Sequence, residues 1–405
     1  MGKNLLVGQS GGPTAAINSS LAGVISEGLK SEKIGKVYGA KHGIEGVLKD
    51  NIIDLSFFSD DEKIKILKQT PSAYLGSCRK KLPDMENNME TYEKIYEMFK
   101  KYDIGYFFYI GGNDSMDTVN KLSKYFKTVD YDVKIIGVPK TIDNDLALTD
   151  HTPGYGSAAK FVANTTKQVA KDNTAYDIPA ITVIEVMGRH AGWLTAAAAL
   201  ANMDGETYVD VVCLPEVAFD IDKLIVKLEE IMNKKNKVVI AVSEGVKDKD
   251  GKLVCESVSV TDGKEDGFNH AQLGGVCKTI EALLKEKTSW KIRPIEFSTI
   301  QRSFSILTSK TDIEESFNAG SQGVKFALDG KTGVMVGYVR KDSDKYEIEY
   351  QAFNTEDVAN FEKVMPASMI TEDGFFVTDE YIKYAKPLIE GECDIVYKDG
   401  VISTL

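Results

Sequence analysis

The amino-acid sequence predicts two three-layer α/β domains with mostly parallel sheets, followed by a C-terminal extension. Three observations carry this. The chain has 405 residues, a length that suits two domains rather than one. Short apolar runs alternate with segments of helical period, the pattern of a parallel sheet covered on both faces. Glycine-bearing turns follow several of those runs, at the strand ends where such sheets place their chemistry.

The elements can be justified in order. Asn4-Leu5-Leu6-Val7 is apolar and ends at Gly8-Gln9-Ser10-Gly11-Gly12-Pro13, so it reads as a strand and a tight loop. Residues 15–29 follow with helical spacing. Strand, glycine loop and helix form an anion-binding start. A helix is expected near 90–102, a strand at 104–110, a helix near 115–125 and a strand at 133–138. A second set begins after Thr152-Pro153-Gly154-Tyr155-Gly156-Ser157. It has a helix over 158–171, a strand at 180–186, a helix at 193–201 and a strand at 209–214. An amphipathic helix over 221–233 and a strand at 237–242 complete it. Lys247–Gly251 and Asp262–Gly267 read as polar loops. The last sixty or so residues mix charge with aromatics, as a folded segment does.

Two segments concentrate the chemistry. Gly111-Gly112-Asn113-Asp114-Ser115 follows the run 104–110, and Pro139-Lys140-Thr141-Ile142-Asp143-Asn144-Asp145 follows 133–138. Paired glycines let backbone N–H groups approach an oxyanion closely. The second segment adds a cation and carboxylates. Backbone donors, a lysine and a candidate base together suggest phosphoryl transfer. A turn aspartate capping a helix is the plain alternative for Asp143, and solvated loop charges for Asp114 and Lys140.

The glycine segment, Thr141-Ile142-Asp143-Asn144-Asp145 and Met187-Gly188-Arg189 together resemble the 6-phosphofructokinase family, pyrophosphate-dependent branch. The similarity runs from about Asn4 to about Gly337. The resemblance implies two Rossmann-like domains. Residues 1–152 with about 301–350 would bind the donor, 153–300 the sugar phosphate, and about 340–405 would form the extension. It implies reversible phosphoryl transfer from pyrophosphate to the 1-hydroxyl of fructose 6-phosphate, with Mg²⁺. Asp143 then matches the catalytic base, Thr141 a hydroxyl near the transferred group, and Asp145 a carboxylate near the metal. Asn113 stands where an aspartate usually contacts that metal. Gly11, Gly12 and Arg79 match the donor side. Met187, Gly188 and Arg189 match the loop over the sugar ring. Glu244 matches a carboxylate that accepts sugar hydroxyls, and Arg293 and Arg302 match arginines on the 6-phosphate. Thr299 replaces a histidine of that pocket, and Ala180 an arginine that reaches a neighbouring subunit's substrate. ATP-using relatives typically carry glycine at the positions of Asp114 and Lys140. An aspartate there puts bulk and charge where an α-phosphate would lie, and Lys140 can neutralise the phosphoryl group in flight. An ATP-dependent 6-phosphofructokinase is the rival that these two residues argue against.

Composition narrows the field further. A net charge of −12 argues against a general nucleic-acid binder. The five cysteines are scattered without a CxxC, so neither a disulfide framework nor a zinc site is expected. No apolar span is long enough to cross a bilayer, and a cytoplasmic location is expected, while the family resemblance implies a homodimer or homotetramer. The opening loop lacks GxGxxG, which counts against a nicotinamide-dependent dehydrogenase. The chain also has no GxxxxGK[ST]. An intact Thr141–Asp145 segment counts against a catalytically silent subunit.

Overall fold

A computed structural model describes residues 2–257 and 275–405. The expected loop at Asp262–Gly267 lies outside the described residues. The chain builds two mostly parallel sheets. The first contains β1 (Asn4–Gln9), β2 (Val37–Ala40), β3 (Ile52–Asp54), β4 (Ile104–Gly111) and β5 (Lys134–Pro139). The second contains β6 (Ala180–Val186), β7 (Val211–Cys213), β8 (Lys237–Ser243) and β9 (Lys291–Glu296). The chain then returns to the first sheet as β10 (Val334–Arg340) and β11 (Ile348–Asn354).

The first sheet has the order β11-β10-β5-β4-β1-β2-β3. Its inner pairings are parallel, and the two edge strands β3 and β11 run antiparallel. Side-chain alternation sends Leu5, Val7, Phe108 and Ile110 to one face, with helices Ile17–Lys30 and Lys310–Leu328. Leu6, Phe107 and Tyr109 go to the other, with helices Met89–Lys101 and Asn113–Thr128. Burial on both faces explains why these strands read as continuous apolar runs. Helices 17–30 and 310–328 meet almost backbone to backbone. A Cβ on Gly23 would lie 1.9 Å from the Phe317 carbonyl oxygen, and one on Gly320 would lie 2.1 Å from that of Ser20.

The second sheet has the order β7-β8-β6-β9, with every pairing parallel. Helix Tyr155–Asn173 covers one face, and helices Ile221–Met232 and Val276–Lys287 cover the other. The helix expected at 193–201 is a single α turn, Trp193–Ala196, continued by a 3₁₀ turn, Ala197–Asn202. Asn202 stops it by accepting the N–H groups of Tyr208 and Val209 at 2.8 and 3.1 Å.

The C-terminal segment after β11 straps across both sheets. Its helix Asp379–Ala385 packs into the core of the second sheet through Tyr381 and Ala385. Its last hairpin, Tyr397–Lys398 with Val401–Ile402, is tied to Gln69, which donates to the Val396 and Ser403 carbonyls at 2.8 and 2.7 Å. Among the described residues, no helix is long and apolar enough to cross a membrane.

Candidate active site

Strand order places three loops at one edge of the first sheet. β1 has β2 on one side and β4 on the other, so the crossover direction reverses between β1 and β4. Open parallel sheets bind ligands at such a switch point. Ser10 N–H donates to the Ile110 carbonyl at 2.8 Å, and Lys140 N–H to that of Gly111 at 2.9 Å. Loops 10–12, 111–114 and 140–145 are thereby locked side by side.

Gly11 has φ 77°, a left-handed conformation that favours glycine. Its N–H donates to the Cys78 carbonyl at 3.0 Å, and its own carbonyl accepts from Ser77 Oγ at 2.6 Å. Cations then crowd this loop. Lys140 Nζ donates to the Gly12 carbonyl at 2.6 Å. A Cβ on Gly12 would stand 3.1 Å from Arg302 Nη1 and 3.8 Å from Arg79 Nη2, and one on Gly11 would stand 3.1 Å from Lys140 Nζ. Both glycines keep this space open. Burial, with Arg302 and Arg79 nearby, pulls the Lys140 ammonium down to about 7 despite the opposing pull of Asp143. Burial and Arg79 lower Arg302 as well. A lysine and an arginine lowered by burial and by neighbouring cations suit a bound anion.

Opposite them stand carboxylates. Thr141 Oγ1 donates to Asp143 Oδ2 at 3.3 Å and accepts from the Asp143 N–H at 3.1 Å, which pins the base candidate to the loop. Burial raises Asp143. Burial and the neighbouring Asp143 push Asp145 up to about 7. Two neighbouring carboxylates, both raised by burial and Asp145 raised further by Asp143, suit a divalent cation.

Met187, Gly188 and Arg189 meet Glu244 at the ends of β6 and β8. Gly188, at φ 144°, donates its N–H to Glu244 Oε1 at 3.4 Å, while Ser243 Oγ donates to the Gly188 carbonyl. Gln301 accepts the Met187 N–H at 3.1 Å. Burial, then Asp143, pushes Glu244 up to about 7.

Some residues stand apart from this cluster. Asp114, in the first turn of helix 113–128, pairs with Lys81 at 2.9 Å. Asn113 is spent on backbone: its Nδ2 donates to the Phe361 carbonyl at 2.6 Å, and its Oδ1 accepts the Asn360 N–H at 2.5 Å. Arg293 is exposed on the edge strand β9 and pairs with Asp172 at 3.3 Å, so the single chain does not bring it to Arg302. Thr299 stands at the residue before the short helix Ile300–Ser303, makes no side-chain capping hydrogen bond and is exposed. Sequence reasoning passed over Lys81. It also missed Lys363 and Tyr384, which touch loop 143–150 from more than 200 residues away.

Residues 4–312 match the family described as Phosphofructokinase. The chain belongs to the phosphofructokinase family. A relative from Halomonas elongata, named pyrophosphate–fructose 6-phosphate 1-phosphotransferase, is 40% identical over 98% of this chain and 94% of its own length. A relative of the same name from Methylococcus capsulatus is also 40% identical, with the same coverage. Among solved structures, the pyrophosphate-dependent phosphofructokinase of Nitrosospira multiformis superimposes with a TM-score of 0.90 at 39% identity. That match covers 100% of this chain and 96% of the other. The family match spans β1 to β9, and the structural match extends over the whole chain, β10 and β11 included.

Proposed function

We propose that the chain transfers a phosphoryl group reversibly from pyrophosphate to the 1-hydroxyl of fructose 6-phosphate. The observation that carries this reading is the convergence of Lys140, Arg79 and Arg302 on the Gly11–Gly12 backbone, beside the part-buried Asp143. A polyanion bound there relieves the repulsion among the cations and raises Lys140 toward its ordinary value. Full-length relatives named for pyrophosphate support the donor assignment.

Asp143 accepts the proton of the attacking hydroxyl, and Thr141 holds its carboxylate in place. Lys140 sits where charge develops on the transferred group. Glu244 receives sugar hydroxyls, below the Met187–Arg189 loop. Asp114 blocks the space a nucleotide's α-phosphate needs. With Lys81 offsetting its charge at 2.9 Å, the block rests on volume more than on repulsion. Asp143 and Asp145 would hold Mg²⁺, which neutralises the phosphates when bound. Asn113, committed to residues 360 and 361, leaves that task to them.

The donor half is residues 1–152 with about 301–350, and the sugar-phosphate half is 153–300. A homodimer or homotetramer in the cytoplasm completes the reading. A subunit contact at the exposed edge of β9 would give Arg293 a sugar phosphate to hold. Formation of fructose 1,6-bisphosphate with pyrophosphate, compared with ATP, tests the proposal.

A further inference from the structure

The catalytic loop has a second set of supports, contributed by the far end of the chain. Asn144 lies between Asp143 and Asp145, is fully buried, and holds φ 55°. A non-glycine residue in that region needs surroundings that enforce it, although asparagine tolerates it better than most. Its Nδ2 donates to Tyr384 Oη at 2.8 Å, and its Oδ1 has no hydrogen-bond partner among the described residues. Tyr384 Oη in turn donates to the Asp150 carbonyl at 2.7 Å. One hydroxyl thus joins both ends of loop 144–150.

Lys363 grips the same loop from another side. Its N–H donates to the Asp145 carbonyl at 2.7 Å, and Leu146 and Glu362 pair as an isolated antiparallel bridge. Its Nζ donates to the carbonyls of Thr149 and Asp150 at 3.1 and 2.7 Å. Residues 360 and 361 hold Asn113 at the head of the adjoining loop. Segment 360–384 therefore contacts the Asn144 side chain, between the two carboxylates, and the backbone from Asp145 to Asp150 that follows them.

We infer that Tyr384 and Lys363 are positioning residues of the phosphoryl-transfer site, and that segment 360–384 sets where the Asp143–Asp145 turn sits. The inference rests on the reading of Asp143 and Asp145 given above. Neither residue touches the reacting atoms. They act through Asn144 and the Asp145 and Asp150 carbonyls, and a displacement of about 1 Å at a catalytic group costs on the order of a hundredfold in rate.

The neighbouring Tyr381 supplies the control. It lies on the same helix and is more deeply buried than Tyr384, but its hydroxyl donates to the Trp193 carbonyl at 2.9 Å and meets Tyr155 Oη at 2.8 Å. Tyr381→Phe and Tyr384→Phe each remove one buried hydroxyl, so their melting temperatures should fall by similar amounts. Only Tyr384→Phe releases Asn144. Its kcat should drop about tenfold or more, with KM for both substrates within about twofold of the parent, while Tyr381→Phe keeps the parent kcat. A parent-like kcat in Tyr384→Phe, or an equal loss in both variants, overturns the inference. If Tyr384→Phe does not fold, Lys363→Met carries the test. It keeps an aliphatic stem beside Trp193 and removes the two Nζ hydrogen bonds together with the ammonium over the Trp193 ring; a tenfold fall in kcat is expected, and an unchanged kcat overturns the inference. A parent enzyme inactive with pyrophosphate would refute the functional reading, whereas an active parent with an unaffected Tyr384→Phe refutes the positioning role alone.

Discussion

Replacing Lys140 by methionine should remove activity while leaving the fold as stable or more so. Lys140 is buried, and its ammonium drops from 10.5 to about 7, mainly through burial. At about 1.4 kcal/mol per decade of proton affinity, the charged form costs the empty enzyme on the order of 5 kcal/mol. The sign follows from proton counts. Between about pH 7 and 10.5 the unfolded chain binds the proton that the folded chain has lost, so stability rises with pH in that window. Below pH 7 the full penalty applies. Methionine fills the volume without the charge, and leaves the Gly12 carbonyl without its 2.6 Å donor at a cost of about 1–3 kcal/mol. The variant should therefore melt at or above the parent temperature at pH 7. Turnover with pyrophosphate should fall roughly 10²–10³-fold, the usual worth of one donor aimed at developing charge. Coupled turnover and thermal melts on the same preparation check both. Turnover within about threefold of the parent would refute the role of Lys140. A large drop in melting temperature would refute the argument from burial.

The other expectations are simpler. Asp143→Asn should lower turnover by about 10²–10⁴-fold in both directions, with little change in KM; near-parent turnover rules Asp143 out as base. Because Arg302 stands with Lys140 and Arg79 on the Gly11–Gly12 loop, Arg302→Ala should raise the pyrophosphate KM by about tenfold to a hundredfold, since a charge-assisted phosphate contact contributes about 1.5–3 kcal/mol. No change in the pyrophosphate KM removes Arg302 from the donor site. Buried His151 bridges Asp150 and Glu315 at 2.8 Å on each ring nitrogen, and those partners raise it against the opposing effect of burial. A raised histidine stabilises fully below its unfolded value of about 6.5, and that support is lost as pH climbs through the folded value. The melting deficit of His151→Gln should be widest near pH 6 and narrow on the alkaline side; a deficit independent of pH would exclude the charged bridge.

What was legible in the sequence follows from where each element lies. β1, β4, β5, β6 and β8 are covered on both faces and therefore read as apolar runs. β2 and β3 are short, and β11 alternates half-buried with exposed residues at a sheet edge, so no run marks them. The Gly11–Gly12, 111–115 and 139–145 loops announced themselves through glycine and charge beside a strand end. Arg293 also stood out, but its sequence distance of nine residues from Arg302 did not convey that β9 points it away. Lys363 and Tyr384 left no local signal. A tyrosine hydroxyl bonded to an asparagine 240 residues earlier is a property of the folded chain alone.

The most direct test of the account is the donor itself. Asp114 and Lys140 imply that the purified protein makes fructose 1,6-bisphosphate with pyrophosphate at far higher kcat/KM than with ATP. The double variant Asp114→Gly, Lys140→Gly should narrow that gap by weakening pyrophosphate use. Comparable kcat/KM for the two donors in the parent protein would contradict the account at its centre.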